Sequence, residues 1–303
     1  MSDRSQPPPT TTGVHAVLHC NVNTRDAAGS AAFYERFGFT LRMRSTSDDT
    51  DGSALGIPGR TVSDTWFEYD ARGPRAAPAV ELVEWQEPAT APRPALSDGH
   101  AAGFAGLGIR VADVADLPAG VDADPIEVYV RGRSRKGVLT QGPDGVPVEI
   151  VEIDPGAEPR EGRDGGRLSH ARLVSTDLDR TIAWFAELGW RVVGDVRPDG
   201  VSLGVAEDPT FSLEFDLDAD AVPHGMRANS EGLYRIALAV EDVSGAVERL
   251  RGLGWSVAEP EFIPMVDTPT GGFTVVVLTD PDGVVAELVT RPRSEVRRPA
   301  DPA

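Results

Sequence analysis

The chain repeats one small unit four times, and this limits the folds open to it more than any other feature. In SHARLVSTDLDRTIAWFAELGW, Ser169 to Trp190, residues first alternate, with Ala171, Leu173 and Ser175 against His170, Arg172 and Val174. A period of two marks a strand with one buried face. At Asp177 the period turns helical, with Leu178, Ile182, Phe185 and Leu188 at three- and four-residue spacing. Asp177 suits the N-cap, because its carboxylate can accept from an unpaired first-turn amide, and Gly189 suits the stop, because glycine tolerates positive φ. His170 precedes Asp177 by seven residues and Gly189 by nineteen. His19, Asp26 and Gly38 keep the same intervals, as do Arg235, Asp242 and Gly254. Gly106 stands seven before Asp113, although the helix after it is short and broken at Pro118. A repeat of this kind outranks any single motif as evidence about architecture.

Each copy continues with further strands. In the first, strands are expected near Thr40 to Arg44, Thr61 to Tyr69 and Ala79 to Trp85. The long polar stretch from Ser45 to Gly59 reads as a loop, of a length that often marks a lid or binding loop. The second copy has strands at Leu107 to Val111, Ile126 to Val130 and Gly137 to Thr140. It closes with GPDGVPVEIV, which matches DPDGVVAELV at the end of the fourth. In both, Asp-Gly makes a tight turn and a glutamate follows four residues after the glycine. The reading is an α+β fold of four βαβββ modules, at residues 13–86, 104–153, 167–218 and 231–292. The stretch 154–166 lacks an apolar period and reads as a linker. Residues 1–12 and 293–303, rich in Pro with Thr or Arg, read as disordered tails.

Composition excludes several classes. A formal charge of -19 repels nucleic-acid backbones and anionic membranes, and no basic run is long enough to reverse that. No apolar run approaches the roughly 18 residues of a membrane span, and the N-terminus lacks a secretory layout, so a cytoplasmic monomer or homodimer is expected. The single cysteine, Cys20, lies on the apolar side of its strand and reads as a buried, inert thiol.

The first strand, VHAVLHCNV, puts Val14, Ala16, Leu18, Cys20 and Val22 on one face and His15, Val17, His19 and Asn21 on the other. The helix after it should cover the apolar face, so the histidines look into whatever the sheet encloses. Four matching first strands and two Asp-Gly turns with their glutamates resemble the vicinal oxygen chelate superfamily, which includes glyoxalase I, bleomycin resistance proteins and extradiol dioxygenases. The resemblance covers about Val14 to Pro292. It implies two glyoxalase-like domains, 13–153 and 167–292, each a cupped mixed β-sheet, although first-with-fourth and second-with-third pairing of modules also occurs in such fused chains.

The resemblance also implies a metal on the concave face, with one ligand from each first strand and one from each last strand. His19, Gly106, His170 and Arg235 fall at the first-strand position, and Glu81, Glu149, Glu214 and Glu287 at the last-strand position. One imidazole and two carboxylates suit Fe, Mn, Zn or Ni and leave positions for substrate. The favoured set is His19, Glu81 and Glu149, with Glu81 and Glu149 as catalytic carboxylates; His170, Glu214 and Glu287 form a second, weaker set. Arg235 would oppose a cation and instead pair with Glu287 or hold an anionic ligand. Arg235, Arg110 and Trp66 are the candidate substrate contacts. Two functional classes follow. One is a divalent-metal-dependent lyase, isomerase, epimerase or oxygenase acting on a small oxygenated molecule. The other is a metal-free binding or drug-sequestering protein of the bleomycin-resistance type.

Overall fold

The structure is a computed structural model and describes residues 13–96, 100–152, 165–265, 268 and 270–299. The first module supplies β1 (Ala16–Thr24), α1 (Ala27–Glu35), β2 (Thr40–Asp51), β3 (Arg60–Tyr69) and β4 (Ala79–Glu87). The second supplies β5 (Ala101–Val111), β6 (Ala123–Val130), β7 (Arg133–Gln141) and β8 (Pro147–Glu152). The third supplies β9 (Arg167–Ser175), α2 (Leu178–Glu187), β10 (Trp190–Val192), β11 (Gly200–Val205) and β12 (Asp208–Leu217), followed by the short β13 (Val222–Pro223). The fourth supplies β14 (Gly232–Val240), α3 (Val243–Gly252), β15 (Glu261–Pro264), β16 (Gly272–Thr279) and β17 (Val285–Thr290).

The three helices begin and end where the repeat places their caps. The carboxylates of Asp26, Asp177 and Asp242 accept from the first-turn amides of Gly29, Arg180 and Gly245. Gly38, Gly189 and Gly254 follow the helices at φ of 83°, 98° and 90°, where a side chain would be strained. In the second module the aspartate makes only a turn, with the Asp113 carboxylate accepting from Ala115 N at 2.8 Å.

Two sheets result, in the orders β15-β16-β17-β14-β1-β4-β3-β2 and β10-β11-β12-β9-β5-β8-β7-β6. Antiparallel pairing of β1 with β14 joins the first module to the fourth, and that of β5 with β9 joins the second to the third. The sheets therefore do not follow the expected division into 13–153 and 167–292. Any two copies carry equivalent first strands, so sequence proximity alone does not select the partner. Neighbouring modules still interlock through their Asp-Gly turns. Asp144 accepts from Ser30 Oγ at 2.8 Å beside α1, and Asp282 accepts from Arg180 Nη2 at 2.8 Å beside α2.

One apolar core takes in Val80, Leu82, Ile236 and Leu238 of the first sheet, Leu107, Ile109, Val148 and Ile150 of the second, and the inner faces of all three helices. Cys20 is fully buried in it, and burial raises its thiol pKa. No helix among the described residues is long and apolar enough to cross a membrane.

Two further expectations change. The stretch read as a loop from Ser45 is strand as far as Asp51, pairing with β3 through Ser45↔Thr65, Ser47↔Ser63 and Thr50↔Thr61. Of the tail read as disordered, residues 293–299 are anchored: Arg298 Nε lies 3.0 Å from Asp208 with both side chains almost fully buried, and Asp208 also accepts from Val17 N at 2.9 Å. Residues 1–12, 153–164 and 300–303, which carry the rest of the tails and most of the linker, lie outside the described residues.

Glu68 on β3 is fully buried, and neither carboxylate oxygen has a hydrogen-bond partner among the described residues. Burial, assisted by Glu35, raises its pKa from 4.5 to about 7. The protonated form thus favours folding below the ordinary value, and that contribution is lost as pH rises toward 7. Glu68→Gln is expected to leave the melting temperature nearly unchanged at pH 4.5 and to raise stability at pH 8 by on the order of 1–3 kcal/mol, read by thermal and urea denaturation at both pH values.

Candidate functional site

Alternation along the strands of the first sheet turns one side chain in two away from the core and into a concave face. His19 of β1, Glu81 of β4, Arg235 of β14 and Glu287 of β17 meet on its floor. The register explains the meeting. Glu81 lies opposite Asn21, and Glu287 opposite Ala237, each two residues beyond the first-strand position of its module. Glu149 opposite Gly108 and Glu214 opposite Arg172 repeat the relation in the second sheet.

The floor is organised around a guanidinium. Arg235 Nη2 donates to Glu81 Oε2 at 3.0 Å, and its Nε donates to Glu287 Oε2 at 2.9 Å. His19 Nε2 lies 3.3 Å from the same Glu81 oxygen and 3.9 Å from the same Glu287 oxygen. Burial lowers the His19 pKa to about 3, with Glu287 opposing and Arg235 adding to the shift, so the imidazole is neutral at ordinary pH. Burial raises the Glu81 pKa against the pull of Arg235. Phe67 packs on the edge of the His19 ring, with centroids 5.4 Å apart.

Above the floor is a cavity of about 480 Å³. Met43, Phe67, Tyr69, Val83 and Trp85 line it from one arm of the sheet, and Ile263, Phe273, Val275 and Val289 from the other. β2 and β15, the two edge strands, come into contact, so the sheet curls nearly closed around the space. The wall was misjudged from sequence by one residue: Trp66 points to the other face, against the core and under Arg44, whose guanidinium carbon is 4.9 Å from the ring centroid. Its neighbour Phe67 faces the cavity. The hydroxyl residues of β2 also line the space, and a search for apolar periodicity missed them.

The second concave face is filled. His170 Nε2 lies 2.9 Å from Glu149 Oε2, and Arg172 donates to both Glu149 oxygens at 2.9 Å. Burial works against the ionised Glu149, but His170 and Arg172 outweigh it and bring its pKa to about 2. A carboxylate so held stays ionised and is a poor proton shuttle near neutral pH. Gly108 makes room for the His170 ring, since a Cβ there would sit 1.9 Å from Cε1. The two-residue turn between β6 and β7 closes the face, with Arg131 N donating to Glu214 Oε1 at 3.0 Å and Gly132 N to Ser202 Oγ at 3.1 Å. Arg110 is buried in this second sheet, on β5.

The expected ligand sets are therefore divided. His19 and Glu81 stand together, but Glu149 belongs to the other sheet; His170 and Glu214 share the second sheet, but Glu287 belongs to the first. His19, Glu81 and Glu287 do converge, yet they do so around Arg235. A divalent ion would have to displace the guanidinium or sit against its charge, so the donor set does not fit a metal. Among the described residues, no three His, Cys, Asp or Glu side chains are grouped to hold one.

Residues 167–288 match the Glyoxalase/Bleomycin resistance protein/Dioxygenase superfamily. That stretch is similar to this superfamily. The matched stretch spans the third and fourth modules, which here sit in different sheets. Among solved structures of the superfamily's fold, glyoxalase I from Zea mays is similar with 21% identity, 90% of this chain and 91% of that one covered, and a TM-score of 0.62. A putative dioxygenase from Bacillus subtilis is similar with 17% identity, coverage of 93% and 86%, and a TM-score of 0.61. At such identities the likeness is one of fold. No curated protein matches the chain in sequence.

If Arg235 is what excludes a metal, removing its charge should admit one. Arg235→His, incubated with Zn²⁺ and desalted, is expected to retain about one ion per chain by elemental mass spectrometry, and the parent protein far less. Equal and stoichiometric retention by the parent would contradict the assignment.

Proposed function

We propose that the protein binds a small, largely apolar organic molecule in the cavity of the first sheet, and that it does so without a divalent metal. The observation that carries this reading is the bridge from Arg235 to Glu81 and Glu287 at the base of a cavity with aromatic and aliphatic walls. Its volume of about 480 Å³ is within the usual range for a pocket that encloses a small ligand. The walls supply apolar contact, and the floor supplies a guanidinium, a neutral imidazole and two carboxylates to orient one polar group. Binding or sequestration accounts for these features better than metal-assisted lyase, isomerase, epimerase or oxygenase chemistry, because a cation that would polarise a substrate would have to displace Arg235 or sit against its charge. Glu149, held in an ion pair in the other sheet, has no part in this reading.

Flavone, a planar apolar aromatic, is a suitable probe. Protein treated with a chelator is expected to bind it with an affinity that added Zn²⁺ or Fe²⁺ leaves unchanged, whereas Phe273→Ala weakens binding about tenfold, or about 1.4 kcal/mol. Calorimetric titration reads both. Binding that appears only after metal is added would overturn the proposal.

A further inference from the structure

The cavity is unlike on its two arms. On the β16–β17 arm Phe273, Val275 and Val289 are apolar, whereas the β2–β3 arm carries three facing pairs of hydroxyl residues, Ser45↔Thr65, Ser47↔Ser63 and Thr50↔Thr61, all lining the cavity. Strand geometry spaces such groups by roughly 5 Å across the pair and roughly 7 Å along each strand. A register shift between Ser47 and Thr50 keeps the third pair on the same face; an unbroken alternation would have turned Thr50 outward.

Hydroxyls on an exposed sheet face would be unremarkable. These are not exposed: Ser45, Thr61 and Thr65 are 4%, 3% and 7% accessible. The third pair is occupied locally, since Thr61 Oγ1 donates to Thr50 O at 2.9 Å and Ser47 and Thr50 bond each other. Ser45, Ser63 and Thr65 line the cavity beside that pair. At the end of the row two buried atoms lack a hydrogen-bond partner among the described residues, Arg235 Nη1 and His19 Nε2, and the Arg235 side chain is only 8% accessible. Donors and acceptors buried at a cavity wall favour a ligand that replaces their water with its own oxygens.

We infer that the ligand is a planar aromatic molecule with several hydroxyl or carbonyl oxygens along one edge, read by Ser45, Ser63 and Thr65, with the innermost oxygen meeting Arg235 and His19. This rests on the cavity being a metal-independent binding site. The apolar face of such a ligand lies against Phe273 and Val275, and its oxygenated edge against the hydroxyl rows.

Two probes with one skeleton separate the inference from the reading beneath it. Quercetin carries hydroxyls on the rings of flavone, and both are titrated calorimetrically into the parent protein and into Ser45→Ala/Ser63→Ala/Thr65→Val. The parent is expected to bind quercetin about tenfold or more tighter than flavone. The triple variant is expected to lose that preference while holding flavone within about twofold, which also shows that its cavity is intact. Equal affinities in the parent, or a triple variant that keeps the preference, would overturn the edge-reading role with the binding site still standing. Failure of the parent to bind either probe would overturn both.

Discussion

A single buried guanidinium holds the first sheet's concave face together. Arg235 projects from β14 and bonds carboxylates on β4 and β17, so its two hydrogen bonds tie together four adjacent strands, β4, β1, β14 and β17. Two carboxylates brought this close under burial repel each other and lose solvation; the guanidinium between them supplies the opposing charge and the donors. Removing it would leave two buried acids sharing one small volume. The geometry that brings Glu81 and Glu287 together therefore requires a cation, and the chain provides one covalently.

The two sheets started from the same pattern and diverged in what fills them. In the first, the arginine sits at the base and leaves the space above it open. In the second, Arg172 and His170 converge on Glu149, Gly108 lets the imidazole lie flat across β5, and the turn at Arg131 and Gly132 closes over Glu214. Among the described residues, the first cup keeps a cavity above its floor. Each deep acid in the filled cup has been paired or capped, as burial requires.

Much of this was legible in the sequence because it is local. The seven-residue interval from first-strand position to capping aspartate fixes both the strand face and the helix start, and in all four modules the strand registers set the last-strand glutamate opposite the residue two beyond His19, Gly106, His170 or Arg235. The conflict between Arg235 and a cation was visible too, because it depends only on residue type at an aligned position. What escaped depends on long-range choice or on a one-residue parity. Which first strands pair is decided by contacts far apart in the chain, and that choice divided the expected His19, Glu81 and Glu149 set. Trp66 and Phe67 are both aromatic neighbours, so composition cannot say which faces inward. The strand at Ser45 to Asp51 is polar on both faces and looked like a loop, and Arg298 is held by Asp208, 90 residues away.

The central claim is that Arg235 holds the place a metal would take. The most direct measurement is a crystal structure of the unmodified protein from crystals soaked in a Zn²⁺ salt, with anomalous scattering recorded at the zinc edge. The account predicts no anomalous peak among His19, Glu81 and Glu287, and Arg235 still bonded to both carboxylates. A strong peak coordinated by those three side chains, with the guanidinium swung away, would contradict it.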